Sequence, residues 1–134
     1  MNIVLDTNVF ISGIFFSGPP YKILKAWKNS QIQIVLTQDI LEEYQRVAEL
    51  LAEQFSTIDI LPIIQLISIH GLFVKADQFD APVCEDPDDD KFLECAIAGN
   101  VKIIVSGDKH LLRVSGYRGI TVLKPREFLD IYLK

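Results

Sequence analysis

Residues 3–8 read Ile3-Val4-Leu5-Asp6-Thr7-Asn8, a short continuous apolar run that ends on an acid. Such a run marks a parallel strand covered on both faces. The arrangement recurs near the other end of the chain, where Ile103-Ile104-Val105 leads into Ser106-Gly107-Asp108. In open parallel sheets, sites form beyond the carboxyl ends of the strands. Two acids at that edge are therefore candidates for chemistry, the bland alternative being an Asp that caps the following helix.

Working outward, the spacing predicts further strands at Ile32–Thr37, Leu72–Lys75 and Ile120–Leu123. Helices are predicted from Pro19-Pro20 to Asn29, over Asp39–Phe55, over Thr57–His70 with Pro62 near its start, and over Asp89–Ala98. Lys109–Leu112 reads as a short helix, and Pro125 opens a last one over Arg126–Tyr132. Strands alternating with helices imply an α/β fold: a three-layer α/β/α sandwich with a central parallel sheet of about five strands. The 134 residues are expected to form a single domain over 1–134.

Composition narrows the classes. With 49% hydrophobic residues the chain is not disordered. Its two cysteines, Cys84 and Cys95, do not make a disulfide scaffold and suit a reducing cytosol, so a cytoplasmic location is expected. The apolar stretch from Ile58 to Val74 is interrupted by Asp59, Pro62, Gln65, Ser68, His70 and Gly71, and does not read as a membrane span. The apolar start contains Asp6 and no preceding base, unlike a secretory signal. Net charge is −5, but it is unevenly spread. Residues 77–94 hold 8 acids and 1 base, whereas Lys109 to Arg126 holds five Lys/Arg and no acid. An acidic knot beside a basic tract suits a metal site next to a phosphate-binding flank; the alternative is an unevenly charged solvated face.

Helix geometry, at about 100° per residue, separates neighbouring acids. Asp89 falls in line with Phe92, Leu93 and Ala96 and is expected to point inward, with Asp90 flanking it about 90° away and Asp86 one turn earlier. In the helix over 39–55, Glu42 points away from the apolar face while Glu43 sits at its border. Asp6, Glu43, Asp89 and Asp108 are thus expected to converge at one sheet edge. Four carboxylates cannot all stay ionised there unaided, and a divalent cation resolves the conflict. Ligation by oxygen alone favours Mg²⁺ or Mn²⁺ and suits phosphoryl chemistry. An EF-hand fails, because Lys91 stands where its loop needs Gly and Ile97 where it needs Glu. No P-loop, dinucleotide fingerprint or nucleophile elbow is present. His110 is expected to contact substrate or solvent rather than metal.

Four segments resemble, in order and at suitable spacing, the motifs of PIN domains. They are Ile3-Val4-Leu5-Asp6-Thr7-Asn8-Val9, Leu41-Glu42-Glu43-Tyr44, Asp86-Pro87-Asp88-Asp89-Asp90-Lys91-Phe92-Leu93-Glu94, and Ile104-Val105-Ser106-Gly107-Asp108-Lys109. The nearest likeness is the subgroup of toxins of type II toxin–antitoxin systems. The resemblance implies a Mg²⁺- or Mn²⁺-dependent endoribonuclease that hydrolyses RNA phosphodiester bonds to a 5′-phosphate and a 3′-hydroxyl. Carried over by position, Asp6, Glu43, Asp89 and Asp108 are the catalytic and metal-site acids. Asn8, Asp86, Asp90 and Ser106 are supporting residues, and Asp90 stays open as a replacement for Asp89. Lys109, His110, Arg113, Arg118, Lys22 and Lys25 are candidates to hold the RNA backbone. The expected target is single-stranded or structured RNA, and an antitoxin protein and a homodimer are implied partners.

Three other readings compete. A phosphohydrolase with an aspartyl nucleophile usually carries a second Asp two residues on, where this chain has Asn8. A receiver domain needs an acid at the end of the third strand, which here ends in Lys75. A non-catalytic PIN-like module binding RNA or protein has no need of all four acids.

Overall fold

The computed structural model describes residues 1–133. Five strands form one parallel sheet: β1 (Asn2–Leu5), β2 (Gln33–Leu36), β3 (Leu72–Phe73), β4 (Ile103–Val105) and β5 (Thr121–Leu123), in the order β3-β2-β1-β4-β5. Among the described residues seven α-helices flank it: α1 (Thr7–Phe15), α2 (Pro19–Lys28), α3 (Gln38–Ala52), α4 (Leu61–His70), α5 (Asp90–Ala98), α6 (Lys109–Arg113) and α7 (Pro125–Tyr132). The architecture is the expected α/β/α sandwich. No helix among the described residues is long and apolar enough to cross a membrane.

β1 lies at the centre, and Ile3, Val4 and Leu5 are wholly buried, which is why its sequence shows no polar alternation. The glycines reveal how the helices cover the sheet. A Cβ on Gly71, just past α4, would lie 2.6 Å from Leu36 Cδ2, and one on Gly99, just past α5, 2.9 Å from Val35 Cγ1. Successive strand residues point to opposite faces, so α4 and α5 cover opposite sides. The connections run from β1 to β2 and β3 on one side, and to β4 and β5 on the other. The strand order therefore reverses beside β1, and a crevice opens past the ends of β1 and β4.

Three local results differ from the sequence reading. Helix α1 occupies a segment without clear helical periodicity: Val9, Phe10, Ile11 and Phe15 are all buried, so the apolar surface covers most of the helix and leaves only the face of Asn8 and Ser12 polar. The helix predicted from Thr57 starts at Leu61, with Pro62 in its first turn, where a missing N–H costs nothing. β3 keeps only two residues, and Val74 continues by bonding Leu36 O.

Candidate metal centre

Asp6 stands at the entry to α1, yet its carboxylate makes no capping bond there. It is 5% exposed and accepts a hydrogen bond from Ser106 Oγ at 2.6 Å. Ser106 is fully buried, and its hydroxyl also accepts from the Asp108 N–H at 2.9 Å. One side chain thus ties the end of β1 to the end of β4. Burial raises the Asp6 pKa, the Ser106 bond opposes the rise, and the charges of Asp108 and Glu43 add to it.

Asp108 caps α6, accepting from the His110 N–H at 2.8 Å. The capping alternative thus holds for Asp108, although its carboxylate also faces the cluster. Asp89 closes a 3₁₀ turn (Pro87–Asp89) that leads into α5. Its Oδ2 is buried and, among the described residues, is the one buried side-chain oxygen or nitrogen with no hydrogen-bond partner. Burial, then the closeness of the Asp108 carboxyl, then the charges of Asp6 and Asp86, push the Asp89 carboxyl up to about 7.

Asp90 is different. Its two oxygens accept the N–H groups of Val83 and Cys84 at 2.9 and 2.7 Å, and the side chain is buried. One turn on, Glu94 accepts the Phe79 N–H at 2.7 Å. These two acids of α5, of the eight in the run, hold the irregular segment before it rather than serving solvation. Asp90 faces the loop, while Asp89 faces Asp6 and Asp108.

Glu43 reaches the cluster from α3, whose position is fixed one residue away. The Tyr44 hydroxyl donates to Leu5 O at 2.6 Å, and its ring stacks on Phe10 at 4.2 Å. Glu43 Oε2 accepts from the Thr7 hydroxyl. Its Oε1 pairs with Lys91 Nζ at 2.6 Å, and Arg46 is 3.7 Å away. Lys91 also meets Asp88 at 3.2 Å. Burial alone lowers the Lys91 pKa, but its hydrogen bonds to Glu43 and Asp88, with their charges, hold it above the usual lysine value.

Other predicted residues divide. Asp86 caps the 3₁₀ turn through the Asp88 N–H at 3.0 Å and lies beside Asp89 and His110, with one ligand atom of each within 4.8 Å of the others. His110 turns inward more than expected: Nδ1 is 3.5 Å from both Asp89 Oδ2 and Asp108 Oδ1, and Nε2 is 3.8 Å from Glu85. Lys109 is exposed beside Asp108, and Arg113 pairs with Glu85 at 2.6 Å. Asn8 is exposed in a shallow groove with Ile11, Phe16, Val47 and Leu51, and it is Thr7 that contacts Glu43. Arg118 is not brought to the cluster. It precedes β5, at the amino edge of the sheet, where its guanidinium lies 5.4 Å from the Tyr117 ring centre. Lys25 lines a groove with residues of α1 and α4 that holds none of the four acids, and Lys22 is exposed on the same helix.

Sequence reasoning missed Thr7 and Lys91. Lys91, the sole base in the acidic run, was the available signal; Thr7 offered none, because its partner lies 36 residues away.

The donor set fits a hard divalent cation. Asp6, Asp89 and Asp108 offer oxygens only, they repel one another, and one buried oxygen among them lacks a partner. His110 beside them adds an imidazole, which suits Mn²⁺ as well.

Residues 2–110 match the family model of the PIN domain. The chain is also 30% identical, over 146 aligned positions, to an uncharacterized protein of Methanocaldococcus jannaschii, an alignment covering the whole of this chain and 93% of that protein. No solved structure gives a significant match.

Proposed function

The chain belongs to the PIN domain family, and from that premise we propose that it is a Mg²⁺- or Mn²⁺-dependent endoribonuclease. PIN domains are generally metal-dependent nucleases. The observation that carries the reading is Asp89: its Oδ2 is buried and unpartnered, it stands with Asp86 and His110 close enough to share an ion, and the charges of Asp6 and Asp108 act on it past the ends of β1 and β4. Glu43 completes the acid set from α3, and 1–134 acts as one PIN-like domain.

When bound, the cation supplies Lewis-acid stabilisation of phosphodiester hydrolysis and a more acidic water. The protein's own contribution is placement. Ser106 holds Asp6 and the Asp108 backbone in one arrangement, so the carboxylates need no reorganisation on loading. Burial and the neighbouring carboxylates raise the Asp89 pKa to about 7, and a bound cation would favour its ionised form. Lys109, exposed at the start of α6, offers an ammonium to a backbone phosphate, and Arg113 does so once it leaves Glu85. Single-stranded or looped RNA fits such a crevice, because its backbone can be bent into it.

The four motifs in order support a role as the toxin of a type II toxin–antitoxin system in the cytoplasm, with an antitoxin protein and a second copy of the chain as partners. The test is cleavage of a mixed single-stranded RNA panel with EDTA, Mg²⁺ or Mn²⁺, beside Asp6→Asn. The Asn keeps an oxygen for Ser106 and removes the charge. Metal-dependent products, absent with the variant, are expected. Equal cleavage by both proteins, or none by the unaltered one with either metal, defeats the reading.

A further inference from the structure

Glu43 differs from the other three acids in one respect: both its oxygens are already engaged. Thr7 donates to one, and Lys91 Nζ lies 2.6 Å from the other. Lys91 is only 21% exposed, and its second partner, Asp88, is at the surface. The lysine therefore reaches from α5 to α3, and its principal charge partner is an acid of the proposed centre. Among the described residues, Asp6 and Asp89 have no lysine or arginine paired with them. Their neighbours are a hydroxyl, other carboxylates and the imidazole of His110.

Resting on the reading of a divalent-cation centre, we propose that Lys91 is a positioning residue that takes up the charge of Glu43 and leaves Asp6, Asp89 and Asp108 as the carboxylates that carry the cation. Glu43 then serves as a fixed post against α5. An ammonium held against one carboxylate is bound to that acid and does not offset the other three equally, since attraction falls with distance and with intervening dielectric. The fourth acid thus adds no further negative charge to a site that already carries three.

The consequence has a sign that a simple brace between helices does not share. Removing the ammonium exposes the charge of Glu43 and deepens the negative potential at the site. Removing Glu43 alone leaves the ammonium near the site with only the surface carboxylate of Asp88 as its partner. The experiment is Mn²⁺ titration of the full chain, followed by the electron paramagnetic resonance of the free ion, for the unaltered protein, Lys91→Met, Lys91→Arg, Glu43→Gln and the double variant E43Q/K91M. Thermal unfolding of each confirms that it is folded.

Lys91→Met is expected to bind Mn²⁺ about three- to tenfold more tightly, and Glu43→Gln to bind it more weakly by a similar factor. The double variant returns close to the unaltered affinity, and Lys91→Arg stays there. In RNA cleavage at saturating Mn²⁺, Lys91→Met lowers kcat because Glu43 keeps Thr7 but loses its tie to α5, and Lys91→Arg recovers part of it. If Lys91→Met binds Mn²⁺ equally or more weakly, or if the loss in Glu43→Gln persists in the double variant, the proposal falls while the centre itself stands. If the unaltered protein binds no Mn²⁺, the underlying reading falls and takes the proposal with it.

Discussion

Asp89 and Asp90 are adjacent, chemically identical and opposite in circumstance. Asp90 accepts two backbone N–H groups, whereas Asp89 has a buried oxygen with none. The unfolded chain releases the Asp89 proton near the ordinary value of about 4, the folded chain at about 7. Between those limits the native state holds more protons, so metal-free stability falls as pH rises through the window. Calorimetry in EDTA from pH 4.5 to 8 is expected to show that decline, and Asp89→Asn to flatten it. At pH 7.5 the Asn variant should melt ~3–8 °C higher, the shift that about 1–2 kcal/mol gives a chain of this size. Asp90→Ala should do the reverse, costing about 3 kcal/mol in urea unfolding by stranding the Val83 and Cys84 N–H groups. Its Mn²⁺ affinity should change less than that of Asp89→Asn. A similar loss of Mn²⁺ binding in both variants would contradict the division of roles.

Helices reach the site through their packing. Tyr44 fixes α3 against the last residue of β1, and so sets where Glu43 can reach. Tyr44→Phe removes one buried hydrogen bond and is expected to cost about 1–2 kcal/mol in urea unfolding, while leaving the stack on Phe10. Gly13 tests the other helical contact. Its added Cβ would lie 2.7 Å from Leu24 Cδ1 and 2.8 Å from Pro20 O. Alanine gains up to about 1 kcal/mol of helix propensity in α1. Overpacking against α2 costs about 1–3 kcal/mol, because Pro20 O is backbone and cannot swing aside. Gly13→Ala should therefore destabilise on balance; a stabilised variant would show that α1 and α2 separate easily.

At the scale of the molecule, the reversal of strand order beside β1 sets Asp6 and Asp108 side by side, and α5 adds Asp89. A cation that binds only the folded chain stabilises it by about 2.7 kcal/mol at a hundred times its Kd. Mn²⁺ should accordingly raise Tm, EDTA should reverse the rise, and Asp6→Asn should lose most of it. With 1–134 folding as one unit, unfolding should follow one cooperative transition by both circular dichroism and Trp27 fluorescence.

The strands, the sandwich and the edge on which the acids meet follow from the sequence by itself, because strand burial and helix period are local patterns. Ile3-Val4-Leu5 and Ile103-Ile104-Val105 are apolar without interruption, and the acids come directly after them. Helix α1 escaped that reading because its apolar residues cover most of its circumference and leave only the narrow face of Asn8 and Ser12 polar. The inward turn of Asp89 is expected from a helix over 89–98, whereas Asp89 closes the 3₁₀ turn before α5. The work of Asp90 was not legible, since its partners lie in a loop without periodicity. Lys91 meets Glu43 across 48 positions of sequence and Ser106 meets Asp6 across 100. Such pairs depend on which strands become neighbours and how closely α3 and α5 approach. Only the tertiary structure decides which acids are tied up by the protein itself and which are left for a cation.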